Sequence, residues 1–348
     1  MSFSKEILLW YSINKRALPW RDYRDPYRIW LSEIILQQTR VVQGTPYYLK
    51  FLKNFPTIED LACASEEKVL KLWQGLGYYS RARNLHATAK RVVAEYDGKF
   101  PDTYSELLKL KGIGDYTASA IASICFDAPE PVVDGNVYRV LSRYFGVDIP
   151  INSPKGITYF KELARRVMNT ESIRDYNQGI MEFGAIQCSP KKPDCLRCPL
   201  ADSCVALQEN RTGILPIKIN KTKIKNRYFN YLVFLDQEEK TVLYQRKGKG
   251  IWQNLWEFPL LETEAEIDIE EVQQRLPEMM RFNDAPEIYQ FNERIIVHKL
   301  SHQHLYTKFW IVKTGTALED GMVLADLDNY PVPVLISDFI NTFKNSYF

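Results

Sequence analysis

Apolar residues recur at helical spacing through the first part of the chain, and β-branched and aromatic runs replace them beyond about residue 228. The pattern predicts a short amphipathic helix from Ser4 to Asn14. Pro19 and Pro26 then interrupt any continuous helix, and a second helix runs from Ile29 to about Gln37. This second helix is apolar nearly all round: Leu31, Ile34 and Ile35 form one stripe, and Ile29 and Leu36 flank the opposite face, where Glu33 lies. Helical spacing continues at Tyr47 to Phe51, Leu61 and Val69 to Trp73, with Pro46 and Pro56 at boundaries. Leu107, Leu108 and Leu110 close another helix, Gly112 and Gly114 allow a hairpin with positive φ, and Thr117 opens a small-residue helix to about Phe126. A Pro-bounded loop, Pro129 to Pro131, leads through Val132-Val133-Asp134-Gly135-Asn136 into an amphipathic helix carrying Val137, Val140, Leu141, Tyr144 and Phe145.

The later runs are YFNYLVFL from Tyr228, TVLYQR from Thr241, WEFPLL from Trp256, IIVHKL from Ile295 and HLYTKFWIV from His304. Alternation such as Val242 and Tyr244 against Leu243 and Gln245 suggests antiparallel strands. One helix is expected from Glu266 and another in the final VPVLISDFINTFKN. An all-α region followed by a sheet-based α+β region makes two domains, a division that 348 residues readily support. We place the helical region at 1–213, a basic, Pro-containing linker at 214–227 and the α+β domain at 228–348.

Charge sharpens this division. The net charge of +2 hides a front region, 1–213, with 29 Lys and Arg against 24 Asp and Glu, and a linker with five cations and no acid. The remainder carries 11 cations against 19 acids, so a polyanion should touch mainly the front. No run of eighteen apolar residues appears, and the N-terminal MSFSKEILLWYSINKR lacks a signal-peptide pattern. A soluble, cytoplasmic protein without a membrane partner is the expectation.

Four places carry candidate chemistry. The glycine hairpin lets backbone N–H groups approach a phosphate, with the next helix N-terminus adding a favourable dipole; the alternative is a plain turn between helices. Glu33 would lose solvation among Ile29, Trp30 and Leu36, which raises a carboxyl pKa toward that of a general acid; the alternative is a surface residue paired with Arg40. Asp134 sits at a helix N-cap, a position that lowers a carboxyl pKa. Cys188, Cys195, Cys198 and Cys204 give C-x6-C-x2-C-x5-C, which in a reducing compartment means ligation of zinc or of an iron–sulfur cluster. Cys63 and Cys125 read as buried small hydrophobes, His86 as structural, and the two tyrosines and two arginines of GLGYYSRARNLH as able to stack on and contact a nucleic acid.

Glu33 in SEIILQQT, the hairpin KGIGDYTA, the loop VVDGNVYRVLSR and the cysteine spacing together resemble the adenine DNA glycosylase family, within the helix-hairpin-helix superfamily that includes endonuclease III. The resemblance implies a helix-hairpin-helix glycosylase domain with an iron–sulfur loop, then a Nudix-like domain. It favours one four-iron four-sulfur cluster over zinc, with Cys188, Cys195, Cys198 and Cys204 as ligands. The implied partner is duplex DNA containing adenine opposite 8-oxoguanine or guanine, bound by a monomer, nucleoid-associated in a prokaryote. By resemblance Glu33 protonates the adenine ring at N7, Asp134 stabilises the sugar cation, and Tyr116 and Asn136 support them. Lyase members similar to endonuclease III carry Lys where Tyr116 stands, so strand cleavage is not expected. Gln38 and Tyr78 match duplex-wedging residues. Gly112 and Gly114 match the phosphate-binding hairpin. Leu300-Ser301-His302 stands where the family has Phe-Ser-His for reading 8-oxoguanine. Leu260-Leu261 replaces the Nudix glycine pair, which disfavours hydrolysis there.

Overall fold

The structure is a computed structural model of the whole chain, described for residues 2–219, 223–283 and 285–347. Its chain divides into two compact units: Met1–Ala64 with Arg83–Asn220, and Ser65–Ala82 with Lys221–Phe348. Its helices are α1 (Phe3–Asn14), α2 (Pro26–Leu36), α3 (Val41–Asn54), α4 (Ile58–Cys63), α5 (Glu66–Trp73), α6 (Ser80–Tyr96), α7 (Tyr104–Leu107), α8 (Asp115–Phe126), α9 (Gly135–Phe145), α10 (Pro154–Val167), α11 (Ile173–Ile186), α12 (Val205–Gln208), α13 (Ile269–Met279) and α14 (Val334–Tyr347).

In the first unit, helix starts follow from side-chain caps. Asp25 accepts from the Tyr27 amide with Pro26 in the first turn, Thr57 and Asp60 form a reciprocal capping box, and Ser153 precedes Pro154. The central element is α8, which packs against α2 and α11. Every residue from Thr117 to Ile124 is buried. Their small side chains, Ala118, Ser119, Ala120, Ala122 and Ser123, let neighbouring helices close in without overpacking. This close packing sets α2 directly against α8, while α11, which also packs on α8, carries α9 on its own surface. Glu182 of α11 is clamped by Arg16 and Arg21 at 2.7 and 3.1 Å. Burial alone would raise its carboxyl, and the arginine hydrogen bonds more than offset that and hold it at about 2.

In the second unit, the sheet order is β5 (Leu260–Thr263), β1 (Lys225–Leu235), β8 (Gln303–Lys313), β6 (Glu287–Gln290), with β7 (Ile296–Lys299) also on β8. The central pair β1–β8 is parallel from Lys225↔Gln303 to Leu235↔Lys313, where alternation had suggested antiparallel strands throughout. The reason lies in burial on both faces. Leu232, Phe234, Trp310 and Val312 pack with Val272 and Leu276 of α13. On the other face Tyr231 stacks on Phe309, which stacks on Phe339 of α14 at 3.9 Å. A strand covered on both sides reads as a continuous apolar run, and such strands favour parallel pairing. TVLYQR is not one strand: β2 (Lys240–Thr241) pairs β9 (Met322–Val323), and β3 (Tyr244–Gln245) pairs β4 (Trp256–Glu257). Val242 and Leu243 are both buried between them, which breaks the alternation.

Two boundaries differ from the sequence division. Helix α5, inside the helical region by sequence, belongs to the second unit: Lys71 Nζ donates to the Tyr330 carbonyl at 3.0 Å and the Trp256 indole N–H to Glu67 at 2.7 Å. The start of the linker is not free, because Ile151 N–H donates to the Ile217 carbonyl and Asn152 brackets Ile219. Cys63 is exposed rather than buried, since it sits in the last turn of the short α4. Burial pushes the Cys125 thiol up to about 12.

Candidate active site

Glu33 projects from α2 toward the first turn of α8. Tyr116 donates its hydroxyl to Glu33 Oε2 at 2.6 Å, so the salt bridge to Arg40 does not form. Burial pushes the Glu33 carboxyl up to about 7, the tyrosine hydrogen bond opposes the rise, and the nearby negative charge of Asp134 adds to it. Burial, with the charges of Glu33 and Asp134, holds the Tyr116 phenol well above its ordinary value, so it stays a donor. Because Oε2 accepts that hydroxyl, a proton held by the Glu33 carboxyl belongs on Oε1.

Asp134 caps α9. Its Oδ1 accepts the Asn136 and Val137 backbone N–H groups, both at 2.8 Å, and its Oδ2 accepts the Asn136 side-chain amide at 2.7 Å. The amide orientation is fixed from behind: Arg139 donates to Asn136 Oδ1 at 2.8 Å, which leaves the Asn136 NH2 facing the carboxylate. The expectation of a lowered pKa is corrected here. Burial raises it, and the hydrogen bonds from Val137 and Asn136 together with Arg139 only oppose that rise. The two carboxyls still differ in kind. Three N–H donors, none able to accept a proton, converge on Asp134 and favour its anion, whereas Glu33 has one hydroxyl donor.

Gln38 follows α2 and holds φ at +58°, while Tyr78 holds φ at +48°. Non-glycine residues in the left-handed region cost roughly 1–3 kcal/mol and cluster at functional sites. In the second unit, Arg81 imposes this conformation by donating to the Gly77 carbonyl at 3.2 Å while lying over the rings of Trp73 and Tyr78. Burial pulls Arg81 down to about 10. Tyr78 and Ser301 share a 2.5 Å hydrogen bond between hydroxyls. Leu300, Ser301 and His302 form the tip of the β7–β8 hairpin, closed by the Leu300 N–H donating to the Gln303 carbonyl at 2.8 Å. Ser301 and His302 are exposed and Leu300 is half-buried.

At the α7–α8 hairpin, Gly112 has φ +80°, and a Cβ there would also meet Asn84 at 2.8 Å. Gly114 has φ −94° and open space where a Cβ would stand, so its fold does not require glycine and the positive-φ expectation is corrected. The open space at Gly114 leaves the hairpin backbone accessible, which suits approach of a phosphate to its N–H groups, although the Asp115 carboxylate stands in the first turn of α8 beside it.

Cys188, Cys195, Cys198 and Cys204 line one pocket with Arg143, which donates to Cys188 Sγ at 3.4 Å. Among the described residues no three His, Cys, Asp or Glu side chains close on a single metal ion. Four thiols around a shared apolar pocket, with backbone N–H groups of Leu200 and Leu207 turned toward Cys198 and Cys204, are a donor set that suits zinc or an iron–sulfur cluster. Burial pushes Cys198 up to about 11, so its ionisation depends on a bound cation.

Sequence reasoning missed Arg139 and Arg143. Both lie on α9 one turn apart, buried; Arg139 donates to the Gly184 and Cys188 carbonyls, Arg143 to the carbonyls of Ser189, Pro190 and Leu215. Lysine and arginine on an amphipathic helix read by default as a solvated face. The signal that could have found them is their position on the same stripe as Asn136.

A helical unit with a glycine hairpin, a buried acid hydrogen-bonded at the first turn of its central helix and a capped aspartate whose charge reaches that acid fits a base-excision DNA glycosylase. Residues 31–177 match the HhH-GPD superfamily base excision DNA repair protein model, and residues 230–342 match a NUDIX domain. The chain belongs to the adenine DNA glycosylase family. It is 40% identical over 265 residues to the adenine DNA glycosylase of Buchnera aphidicola subsp. Schizaphis graminum, covering 75% of each chain. It is 42% identical over 216 residues to the human adenine DNA glycosylase, covering 60% of this chain and 40% of that one. A solved thermostable thymine-DNA glycosylase aligns with TM-score 0.55 and 32% identity over 60% of this chain and 95% of that one. The fold also aligns with an endonuclease III–DNA complex, TM-score 0.51 at 21% identity, over 60% of this chain and 99% of that one. The protein is a DNA glycosylase of base excision repair. No helix among the described residues is long and apolar enough to cross a membrane.

Proposed function

We propose that the chain removes adenine mispaired with 8-oxoguanine, or with guanine, from duplex DNA without cutting the strand. The observation that carries this reading is the Glu33–Tyr116 hydrogen bond, with Asp134 close enough for its charge to act on both. Adenine leaves deoxyribose poorly unless a ring nitrogen is protonated, and bond cleavage leaves positive charge on the sugar. Glu33, protonated near neutral pH, supplies the proton to N7 from Oε1. Asp134, held as an anion, faces the developing sugar cation, with Asn136 fixing its second oxygen. Adenine must leave the stack to reach these groups; Gln38 of the first unit, in its strained conformation, is suited to wedge into the duplex, and Tyr78 of the second unit is a proposed duplex contact of its own.

Tyr116 supports the absence of strand cleavage, since a phenol cannot form the imine a lyase needs. Borohydride added during turnover should trap little covalent protein–DNA adduct. Abundant trapping would place a reactive amine at the sugar and reverse the assignment.

In the second unit, the Leu300-Ser301-His302 hairpin is the proposed reader of 8-oxoguanine, which differs from guanine by an N–H donor at N7 and a carbonyl at C8. The exposed Ser301 and His302 supply the matching polar groups. Replacing both with Ala should narrow the rate preference for 8-oxoguanine over guanine by about tenfold, the scale of one or two lost hydrogen bonds. An unchanged ratio removes the hairpin from recognition. The four cysteines are proposed to hold a four-iron four-sulfur cluster, so purified protein should contain iron and acid-labile sulfide in equal amounts; zinc alone would contradict this.

The proposal as a whole is tested by single-turnover assays on duplexes with adenine opposite 8-oxoguanine, guanine, cytosine and thymine, with and without alkali. Alkali-dependent strand breaks, fastest opposite 8-oxoguanine and next opposite guanine, are expected. Breaks without alkali, or equal rates on all four duplexes, contradict it. We further propose that the enzyme acts as a monomer, in the cytoplasm and with the nucleoid in a prokaryote.

A further inference from the structure

Lys161 of α10 uses its ammonium on three groups from two segments of the first unit, the first turns of α8 and the loop that follows it. It donates to the Ser119 hydroxyl at 2.8 Å and the Pro131 carbonyl at 2.9 Å, and pairs with the Asp115 carboxylate at 3.1 Å. Tyr104 completes the cluster, donating its hydroxyl to Asp115 at 2.5 Å while its ring lies 5.5 Å from the Lys161 ammonium. Only 16% of the Lys161 side chain remains exposed. Confining a cation this way costs solvation that an apolar side chain of similar length would not lose. What the cation gains is position. Asp115 immediately precedes Tyr116, and Pro131 lies three residues before Asp134.

We infer that Lys161 is a positioning residue, tying the first turn of α8 to the 128–134 loop so that the proton-donating and charge-stabilising carboxyls face one nucleoside. This rests on the catalytic reading given above. The loop has a second tether in the fully buried Asn177, which donates to the Glu130 carbonyl and Ser123 hydroxyl at 2.8 Å and accepts from Val132 N–H at 3.4 Å. That tether meets α8 one turn further on and touches nothing adjacent to Tyr116. Lys161 is therefore the link that sets the distance from Tyr116 to Asp134. It touches neither Glu33 nor Asp134, so its effect on the reaction passes through their placement.

The test uses the full-length protein with Lys161→Met, which keeps the stem and removes the charge, and Lys161→Arg, which keeps the donors. Misplacing a reacting group by about 1 Å can cost about 100-fold, so the Lys161→Met single-turnover rate opposite 8-oxoguanine should fall about 10- to 100-fold, with duplex affinity within about threefold of the parent. A second readout separates positioning from loss of folded protein. The titratable groups acting on Glu33 are Tyr116, whose hydrogen bond lowers it, and Asp134, whose negative charge raises it, and the Cys125 thiol, pushed up by burial, also feels the Glu33 charge. If the loop retreats, Glu33 loses part of that negative neighbour, and the descending alkaline limb of the rate profile moves to lower pH. Lys161→Arg should restore most of the rate and the limb. Lys161→Met with a parental rate, or with a rate loss matched by a smaller active fraction and an unmoved limb, overturns the inference. Failure of the underlying reading is distinct: it shows as a missing limb in the parent enzyme or turnover retained by Glu33→Gln.

Discussion

Replacing Glu33 by Gln is expected to lower the single-turnover rate of adenine release by about 10²- to 10⁴-fold, the range spanned by a general acid, while leaving duplex binding measurable. The change is nearly isosteric, and the Gln carbonyl can still accept from Tyr116, so the packing of α2 on α8 is kept. What disappears is the proton on Oε1. The same substitution should stabilise the fold above neutral pH. Unfolded, the carboxyl ionises near 4.5; folded, it holds its proton to about 7. Folding therefore binds a proton between those values, and the contribution of Glu33 to stability falls as pH rises through that window. At pH 8 the ionised, buried carboxylate costs roughly 3 kcal/mol that Gln does not. Thermal unfolding at pH 8 and pH 5 measures this: the variant should gain at pH 8 and show little difference at pH 5. Loss of activity with a gain in stability would mark a residue kept for chemistry rather than for packing.

Asp134→Asn is the second large effect, and it separates the charge from the cap. Asn remains a good N-cap through its Oδ1, so α9 should start at the same residue, but its NH2 replaces Oδ2 and meets the Asn136 NH2 donor, which should cost about 1–3 kcal/mol of stability. Without the negative charge the sugar cation loses its partner, and the rate should drop by about 10²- to 10³-fold. The substitution also removes a neighbour that raises Glu33, so the residual activity should show its alkaline limb at lower pH than the parent. A rate within tenfold of the parent would mean that the cation is stabilised by something other than Asp134.

Much of this site was legible in the sequence because its geometry is local. Asp134 caps the helix that begins one residue later, and an Asp before Gly-Asn at the head of an amphipathic stripe declares that role by itself. Glu33 on an all-round apolar helix likewise announced its own desolvation. The sign of the Asp134 shift was not legible, because the cap acts within three residues while burial comes with the packing of distant helices such as α11 on α9, which no local pattern records. The same holds for the sheet. β1 and β8 were found as apolar runs, yet their parallel pairing depends on α13 and α14 covering both faces. It holds again for Lys161 and for the contacts of Arg139 with Gly184 and Cys188, which lie 30 or more positions away and involve residue types that ordinarily face solvent. Helix α5 has a regular amphipathic pattern, but nothing in that pattern says with which unit its buried face packs.

The measurement that bears most directly on the paired-carboxyl account is the pH dependence of single-turnover adenine release opposite 8-oxoguanine, taken from about pH 5.5 to 8.5 for the parent enzyme and for Glu33→Gln. The account predicts a parental rate that falls as pH rises through about 7 or somewhat above, since bound duplex adds burial and phosphate charge that both hold the proton on Glu33. It also predicts a residual, pH-independent rate in the variant. A flat parental profile, or a variant that keeps both the rate and the limb, would contradict it.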